Sequence, residues 1–270
     1  MAIPSPAPDR TCIVTGASSG IGTEIARVLA SRGHGVTLVA RRLDRLERLA
    51  DQLHQHHGVR TEVVVADLVE PAQRRAVVEA VAERGLTPEV LVNNAGFSTT
   101  GPVATIDPGR EINMLRTNVE AVDHLCGLVV PGMVERGRGA ILNVASTASY
   151  QPLPGQAGYS ASKAFVRTYS TALAGEVARH GVTVTALCPG PVRTEFADVS
   201  GMADEDEGNP LPEAMWVAVE EVARIGVDAL EDGRLVSIPG AANRAVAALA
   251  HVMPRQILLP ILTRSHPSLG

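Results

Sequence analysis

The chain has 270 residues, of which 45% are hydrophobic and 20% are charged, and its formal net charge is −5. These values are typical of a folded globular protein, and they exclude a disordered chain and a strongly basic nucleic-acid-binding protein. The length lies within the range of single α/β domains, so one large core is expected.

The amino terminus has three prolines and no apolar run before the first strand-like segment. A secretory signal needs such a run, so we predict that residues 1–10 form a short flexible leader. Cys12, Cys126 and Cys188 are widely spaced and fit neither a disulfide framework nor a zinc site. Buried reduced thiols and a cytoplasmic location are therefore expected.

Short apolar segments alternate with longer helical patterns along the chain. Seven segments predict strands: TCIVT, GVTLVA, TEVVVA, EVLVNN, AILNVAS, VTVTALCP and RLVSIP. Most are apolar on both faces, as expected when helices cover both sides of a parallel sheet. The intervening segments have helical spacing, and several end at glycine. The predicted fold is a Rossmann-like, doubly wound parallel α/β sheet of about seven strands.

The segment TGASSGIG, residues 15–22, follows the first strand and opens the first helix. Gly16, Gly20 and Gly22 allow a tight turn, close approach of the backbone to a pyrophosphate, and close packing of the helix on the strand. The N–H groups at the start of the helix then face the anion. The spacing differs from the common motif G-x-G-x-x-G, and any turn between a strand and a helix can use glycine.

Further motifs follow in order: Asp67 in VADL, NNAG at residues 93–96, Asn118 in TNV, Ser146 after ILNVA, Tyr159 and Lys163 in YSASK, and PGPVRT at residues 189–194. Together with Thr-Gly-x-x-x-Gly-x-Gly, they resemble the motifs of the short-chain dehydrogenase/reductases, in the single-domain branch of that family. The resemblance runs from Thr11 to about Pro239. It implies that residues 11–240 form one NAD(P)-binding domain, and no linker divides them.

The resemblance also implies a cofactor site. Its contacts would be Gly16, Ser18, Ser19, Gly20, Ile21, Gly22, Arg41, Asp67, Leu68, Asn94, Ala95, Gly96, Tyr159, Lys163, Pro189, Gly190, Val192 and Thr194. Asp67 would bind the adenine amino group, although a helix cap is the local alternative. Asn94 has a structural alternative, which is to tie loops together. Thr194 would contact the nicotinamide half.

The end of the second strand indicates which cofactor is used. NAD-specific sites place an acid there, which binds the ribose hydroxyl and repels a 2′-phosphate. This sequence has Ala40 followed by Arg41 and Arg42, and a guanidinium can bind a phosphate in bidentate fashion. We therefore predict NADP(H), with Arg41 at the phosphate and Arg42 beside it. The local alternative is two solvated arginines that pair with Asp44 and Glu47.

Tyr159 and Lys163 stand one turn apart in a predicted helix, residues 156–180, so they share one face. A phenol has a pKa of about 10 and needs a nearby cation to favour its phenolate. Lys163 and the oxidised nicotinamide can supply that field, although such a pair is often an ordinary surface pair. Ser146 ends the fifth strand and can bind a substrate carbonyl or alkoxide, and its local alternative is a cap.

Asn118 lies in a long predicted helix, residues 107–136, where asparagine is a poor helix former. The resemblance assigns it to a water-linked proton relay that runs to Lys163, and a satisfied buried amide is the alternative. With Ser146 and Tyr159, these residues imply reduction of a ketone or aldehyde, or the reverse oxidation of an alcohol. No group of His, Asp and Glu residues predicts a metal site.

Two other functions share parts of this pattern. A cofactor-binding regulator or scaffold without catalysis would have a damaged set of four catalytic residues. A nucleotide-sugar epimerase would carry a larger carboxyl-terminal domain. For the enzyme, we expect an apolar acyl-chain or steroid-like substrate, with five residues that could line its pocket: Phe97, Leu153, Phe196, Met202 and Trp216. Core packing is the alternative for such residues.

Two segments complete the chain. Residues 195–212 lack periodicity and predict a substrate loop, followed by a helix that begins near Pro212. Residues 241–270 form an apolar tail that we expect to pack on the same domain. Its stretch 251–262 is too short for a membrane span, which leaves the substrate end, a subunit interface or a membrane surface as its place.

Assembly is predicted from two helices. The segments 107–136 and 156–180 carry many small and apolar residues, and the resemblance implies that they pair across a twofold axis. We therefore expect a homodimer or a homotetramer, since most soluble oligomers are closed and symmetric.

Overall fold

The computed structural model describes residues 3–196, 200 and 211–264. Within those residues seven parallel strands form one sheet: β1 (Arg10–Thr15), β2 (Val36–Ala40), β3 (Thr61–Val65), β4 (Thr87–Asn93), β5 (Gly139–Val144), β6 (Val182–Leu187) and β7 (Val236–Ser237). Their order is β3-β2-β1-β4-β5-β6-β7. The winding reverses between β1 and β4, which confirms the predicted Rossmann-like fold.

Helices cover both faces of this sheet. Those in the described part of the chain are α1 (Gly20–Ser31), α2 (Leu43–His57), α3 (Pro71–Glu83), α4 (Pro108–Leu115), α5 (Ala121–Glu135), α6 (Ala157–Val177), α7 (Val219–Glu231), α8 (Ala241–Val252) and α9 (Arg255–Arg264). In β1, Cys12 and Val14 pack with α1, α2 and α7, whereas Ile13 packs with α3, α5 and α6. The strands are apolar on both faces because each face meets a helical layer.

The first described residues pack against the domain. Ile3 is 6% exposed and belongs to the buried cluster on the α1 side of the sheet. Arg10 already belongs to β1, and its Nη1 donates to the carbonyl oxygen of Ser5 over 3.0 Å. The predicted leader therefore packs on the domain from residue 3 onward, because Ile3 removes apolar surface from water when it packs there.

The long helix predicted over residues 107–136 is interrupted. α4 ends at Leu115, Arg116–Glu120 form a π-helical turn, and α5 begins at Ala121. Asn118 lies in the middle of that turn and is buried. π-helix is rare and occurs mostly as single turns inside α-helices, which are frequently found at functional sites. The interruption gives a physical reason for an asparagine at this position.

The helix predicted to begin near Pro212 begins later. A 3₁₀ turn spans Glu213–Met215, Trp216 is extended, and α7 starts only at Val219. The Trp216 ring lies 4.8 Å from the Arg193 guanidinium, and its Nε1 donates to the carbonyl of Leu211. These contacts hold Trp216 outside a helix.

The apolar tail lies on the same body as the sheet. α8 packs beside the 3₁₀ turn Thr147–Tyr150, which directly follows Ser146. Leu258 of α9 is buried, and Arg255 donates to the carbonyl of Tyr150 over 3.3 Å. The tail is thereby placed close to the carboxyl end of β5.

Arg74 joins the segment after β3 to the π turn. Its buried guanidinium donates to the carbonyls of Leu68 (2.6 Å), Val69 (3.0 Å) and Arg116 (3.3 Å), and to the carboxylate of Glu120 (3.2 Å). Four acceptors therefore depend on one side chain.

Arg74→Met should remove these donors and leave buried carbonyl groups without partners. We expect the free energy of unfolding to fall by about 2–4 kcal/mol. Guanidinium titration followed by circular dichroism measures this loss. The adjacent Arg75 is exposed, so Arg75→Met should cost less than about 0.5 kcal/mol. Equal losses for the two variants would contradict the assigned role of Arg74.

Candidate active site

A cavity of about 1320 Å³ lies at the carboxyl edge of the sheet, lined by the segments that follow β1 to β6. In open α/β sheets, this edge is where ligands bind, next to the point at which the winding reverses. Pockets for one small ligand usually measure roughly 300–1,000 Å³. The cavity therefore has room for a dinucleotide together with a substrate.

The structure places most of the site residues named from the sequence on the wall of this cavity. They are Gly16, Ser18, Ser19, Gly20, Ile21, Arg41, Asp67, Leu68, Asn94, Ala95, Gly96, Ser146, Tyr159, Lys163, Pro189, Gly190, Val192 and Thr194. Gly22 and Asn118 are buried just behind the wall. Residues far apart in the sequence thus converge on one site.

The glycine-rich turn is locked to the NNAG turn. Thr15 Oγ1 accepts from the backbone N–H groups of Asn94 (2.9 Å) and Ala95 (3.1 Å), and Asn94 Nδ2 donates to the carbonyl of Thr15 (2.9 Å). Gly16 has a φ of +66°, and a Cβ there would lie 2.7 Å from Asn94 Nδ2. The loop-tying alternative for Asn94 is therefore present in the structure.

Arg42 holds the glycine-rich loop. Its Nη2 donates to the hydroxyls of Ser18 (3.0 Å) and Ser19 (2.8 Å). Its Nη1 binds the Glu195 carboxylate at 2.9 Å, and Arg45 binds the same carboxylate at 2.6 Å. These two arginines lower the pKa of Glu195 through their hydrogen bonds. Glu195 thus ties the start of the predicted substrate loop to the region that follows β2.

Arg41, which precedes Arg42 after β2, is exposed and has fewer contacts. Its side chain is 72% exposed, and its Nη1 lies 3.8 Å from Asp67 Oδ2. The alternative pairing of the two arginines with Asp44 is not seen, because Asp44 binds Arg48 instead. Arg41 is therefore placed at the cavity rim, beside the residue implied to bind adenine.

Tyr159, Lys163 and Ser146 meet in the middle of the cavity wall. Lys163 Nζ donates to the carbonyl of Val144 over 2.9 Å and lies 5.9 Å from the centre of the Tyr159 ring. The Ser146 hydroxyl lies near the Tyr159 phenol, accepts from the backbone N–H of Ala148 over 3.1 Å and donates to the carbonyl of Pro189 over 3.5 Å. Ser146 therefore has the cap role that we considered as an alternative, and it touches the tyrosine as well.

Burial moves the two titratable groups of this cluster in opposite directions. Burial raises the pKa of Tyr159 to about 12, and the hydrogen bond with Ser146 lowers it only in part. Burial lowers the pKa of Lys163 to about 8, and the nearby Cys188 opposes this shift. Without the oxidised nicotinamide, which we named beside Lys163 as a source of the field, burial dominates and the pKa of Tyr159 stays raised. Among protein groups alone, Tyr159 is a neutral phenol that has a proton to donate.

The buried amide of Asn118 is fully engaged. Its Oδ1 accepts from the backbone N–H of Phe97 (3.2 Å), and its Nδ2 donates to the carbonyl of Phe97 (3.0 Å) and to the hydroxyl of Ser162 (3.1 Å). A Cβ on Gly96 would lie 2.8 Å from Asn118 Oδ1 and 3.4 Å from Lys163 Nζ. A glycine is required between the π turn and the lysine.

Apolar side chains lie on part of the cavity wall, where a ring meets Tyr159. Phe97, Leu153, Phe196 and Trp216 line it, and the rings of Tyr159 and Phe196 lie 5.8 Å apart. Met202, the acidic run at 204–207 and most of the predicted substrate loop, 197–199 and 201–210, fall outside the described residues.

Several lining residues were missed from the sequence: Gln151, Gln156, Leu211, Met215 and Leu262. For Leu262, the apolar tail was the available signal. The other four lie in short irregular segments, which carry no periodic pattern.

A profile of the family described as short chain dehydrogenase matches residues 10–204, which is most of the chain. The chain belongs to the short-chain dehydrogenase/reductase family. It is therefore an NAD(P)-dependent oxidoreductase that interconverts carbonyl and alcohol groups, as the resemblance in its motifs implied.

The names of three similar members of the family mention different substrates or a bound cofactor. The very-long-chain 3-oxoacyl-CoA reductase of Anas platyrhynchos is 36% identical over 227 residues, covering 83% of this chain and 71% of the relative. A short-chain dehydrogenase from Sphingobium yanoikuyae in complex with NADPH shares 34% identity and a TM-score of 0.79, over 93% of this chain and 95% of the other. A bulky-bulky ketone specific alcohol dehydrogenase from Comamonas testosteroni shares 28% identity and a TM-score of 0.75, over 96% and 97%.

Lys163 is the only lysine in the sequence, which makes its titration directly measurable in this short-chain dehydrogenase/reductase. Lysine isotope-labelled at its ε-carbon should give one side-chain NMR resonance. We expect this resonance to titrate with a midpoint of about pH 8 in the cofactor-free protein.

In the unfolded chain a lysine titrates near pH 10.4, so the unfolded state binds more protons between about pH 8 and 10.4. The contribution of Lys163 to the free energy of unfolding should therefore rise with pH across this window and stay at its minimum below it. A midpoint at pH 10 or above in the folded protein would show that the ammonium is not desolvated.

Proposed function

We propose that this short-chain dehydrogenase/reductase uses NADP(H) to interconvert an apolar acyl-chain or steroid-like ketone and its alcohol. The observation that carries the proposal is that Ser146, Tyr159 and Lys163 meet on the wall of a cavity that also holds the glycine-rich turn, with Lys163 Nζ 5.9 Å from the centre of the Tyr159 ring. Oxidation of the alcohol by the oxidised cofactor would follow the same path in reverse.

The glycine-rich turn, the NNAG turn and the PGPVRT segment on the cavity wall would hold the cofactor, which when bound would supply or accept the hydride at the carbonyl carbon. In reduction, the Ser146 hydroxyl donates to the carbonyl oxygen and polarises it as negative charge develops there. Tyr159 then gives its phenolic proton to that oxygen, which completes the alcohol. The Lys163 ammonium, 5.9 Å from the ring centre, stabilises the tyrosinate that this transfer leaves.

Asn118 positions the backbone beside the catalytic residues and does not react itself. By binding both the N–H and the carbonyl of Phe97, it fixes the backbone next to Gly96, which passes between Asn118 and Lys163. A water-linked relay to Lys163 remains our proposal for proton replacement, and the engaged amide holds that path in place and does not itself carry the proton.

The size and apolar character of the cavity support a large substrate. Phe97, Leu153, Phe196, Leu211 and Trp216 form an apolar wall beside Tyr159. The names of the relatives from Anas platyrhynchos and Comamonas testosteroni record a very-long-chain acyl substrate and a bulky ketone. Both favour a substrate of this class for the present chain.

Tyr159→Phe should retain the fold and NADPH binding but lose turnover by about 10²–10⁴-fold, because the proton donor is removed. Steady-state NADPH oxidation over a panel of apolar ketones and aldehydes measures the loss. Tyr169 lies on the same helix but contacts Asp123 and Cys126, away from the cavity, so Tyr169→Phe is the matched control. Turnover of Tyr159→Phe near that of the control would remove the tyrosine from the mechanism, whereas absence of turnover by the wild type across the panel would favour a scaffold.

The preference for NADP(H) is supported by charge at the rim. No acid ends β2, where Ala40 stands, and the exposed Arg41 lies beside Asp67 at the cavity. Arg42 is occupied by Ser18, Ser19 and Glu195, so Arg41 is the guanidinium with more freedom to reach a phosphate.

Arg41→Ala should lower kcat/KM for NADPH by roughly 10–100-fold and leave that for NADH nearly unchanged, because one charge-assisted contact contributes about 1.5–3 kcal/mol. Arg48 is exposed to a similar degree on α2, and Arg48→Ala should change neither value. A wild-type preference for NADH, or equal loss with both cofactors, would overturn the assignment.

We further propose a homodimer or homotetramer that pairs through α5 and α6. Phe165 of α6 is exposed and stacks on Tyr169, with ring centres 5.4 Å apart, which places an aromatic pair on the outer face of the helix. The three cysteines are buried and unpaired, which supports a reducing compartment such as the cytoplasm.

Light scattering at micromolar concentration should give the mass of a dimer or tetramer for the wild type. Phe165→Glu should lower that mass, because it places a charge in the contact. Leu43→Glu changes an exposed apolar residue of α2 and should leave the mass unchanged. A monomeric wild type would refute the proposed assembly.

A further inference from the structure

Exposed apolar side chains are concentrated in the last two helices. Among the residues that the structure describes, thirteen large apolar side chains are exposed, and six of them lie between residues 246 and 261: Val246, Leu249, Val252, Ile257, Leu259 and Ile261. Val252 reaches 75% exposure. Such a concentration marks an interaction surface, since single exposed apolar residues are ordinary but clusters are not.

The charge of this segment is opposite to that of the chain. Residues 241–270 contain Arg244, Arg255 and Arg264 but no Asp or Glu, whereas the whole chain has a formal net charge of −5. Arg255 and Arg244 donate to backbone carbonyls, at Tyr150 and Ile238 respectively. Within residues 3–196, 200 and 211–264, none of the three arginines forms a salt bridge. Their positive charges are therefore not neutralised by the described part of the protein.

We propose that α8 and α9 form a docking surface for a membrane that contains anionic lipid. Apolar side chains that enter the boundary between headgroups and acyl chains, flanked by arginines that attract anionic headgroups, are the two components of such binding. The charge decides against a second copy of the chain as the occupant. If this segment met its own copy across a twofold axis, the arginines of both copies would find no Asp or Glu in either segment.

The form of the segment suits a surface position and not a span. No described helix has the length and apolar character that crossing a bilayer requires. α9 has ten residues and contains Pro260, and its Leu258 is buried against the domain. Leu262 of the same helix lines the reaction cavity, so the docked surface holds the cavity close to the lipid. The docking itself does not depend on the reaction proposed above.

Sedimentation of the full-length protein with vesicles tests the proposal. We expect binding to vesicles of equal parts phosphatidylcholine and phosphatidylserine, weak binding to phosphatidylcholine alone, and loss of binding as salt is added. The double variant Val252→Asp with Ile257→Asp should weaken binding by at least about tenfold, because two apolar side chains no longer enter the lipid. The double variant Arg244→Gln with Arg264→Gln should weaken binding to the vesicles that contain phosphatidylserine and leave the weak binding to phosphatidylcholine vesicles unchanged.

Val103 is the matched control, since it is 74% exposed and lies outside the segment. Val103→Asp should bind vesicles like the wild type. Circular dichroism and NADPH turnover on a water-soluble ketone show that each variant is folded, and the arginine variant tests the proposal without any change in the apolar residues. Absence of binding to phosphatidylserine vesicles overturns the proposal. It is also overturned if the double aspartate variant lowers the mass in light scattering and leaves vesicle binding unchanged, which would show a subunit interface.

Discussion

The parallel pairing of β1 with β4 is the constraint on which the site depends. It sets two strands side by side whose connecting helices leave in opposite directions, so the space beyond their carboxyl ends is not filled by either helical layer. The Thr15 hydroxyl donates to the carbonyl of Val92 and accepts from the N–H groups that follow β4. One side chain thus joins the two turns that border the cavity. Because these turns lie so close together, position 16 has no room for a Cβ atom and is occupied by glycine.

Burial then determines the chemistry of the groups placed there. A phenol and an amine in water have pKa values that nearly coincide, at about 10 and 10.4. In this fold burial raises the pKa of Tyr159 and lowers that of Lys163, so it disfavours the charged form of each group. An added cation favours the phenolate and the neutral amine, and an added anion favours the neutral phenol and the ammonium. The state of the pair therefore follows the charge of whatever lies in the cavity, and not the protein alone.

The strands and turns could be predicted because their signals are local, whereas the set of residues that converge on the cavity was identified through the resemblance of the motifs to a known family. Apolar runs of strand length, glycines at turns, and Tyr159 one turn before Lys163 are all visible in a short window of sequence. Features that arise from packing could not be predicted. The burial of Ile3 depends on the face of a distant helical layer, and the Glu195 contacts with Arg42 and Arg45 join positions about 150 residues apart. The direction of the Tyr159 shift depends on depth of burial, which no spacing records.

The π turn at Arg116–Glu120 has a consequence for how this segment tolerates change in length. An α-helix advances about 100° per residue, and a π turn accommodates one residue more than the regular helix does. Deleting one residue there would restore a regular helix and leave α4 and α5 in nearly the same relative orientation, because the turn already absorbs the extra residue. Met114, now fully buried, would then keep its place beneath α6. A deletion of one residue elsewhere in α4 or α5 would instead rotate one helix against the other by about 100° and change which face of a whole helix meets the core.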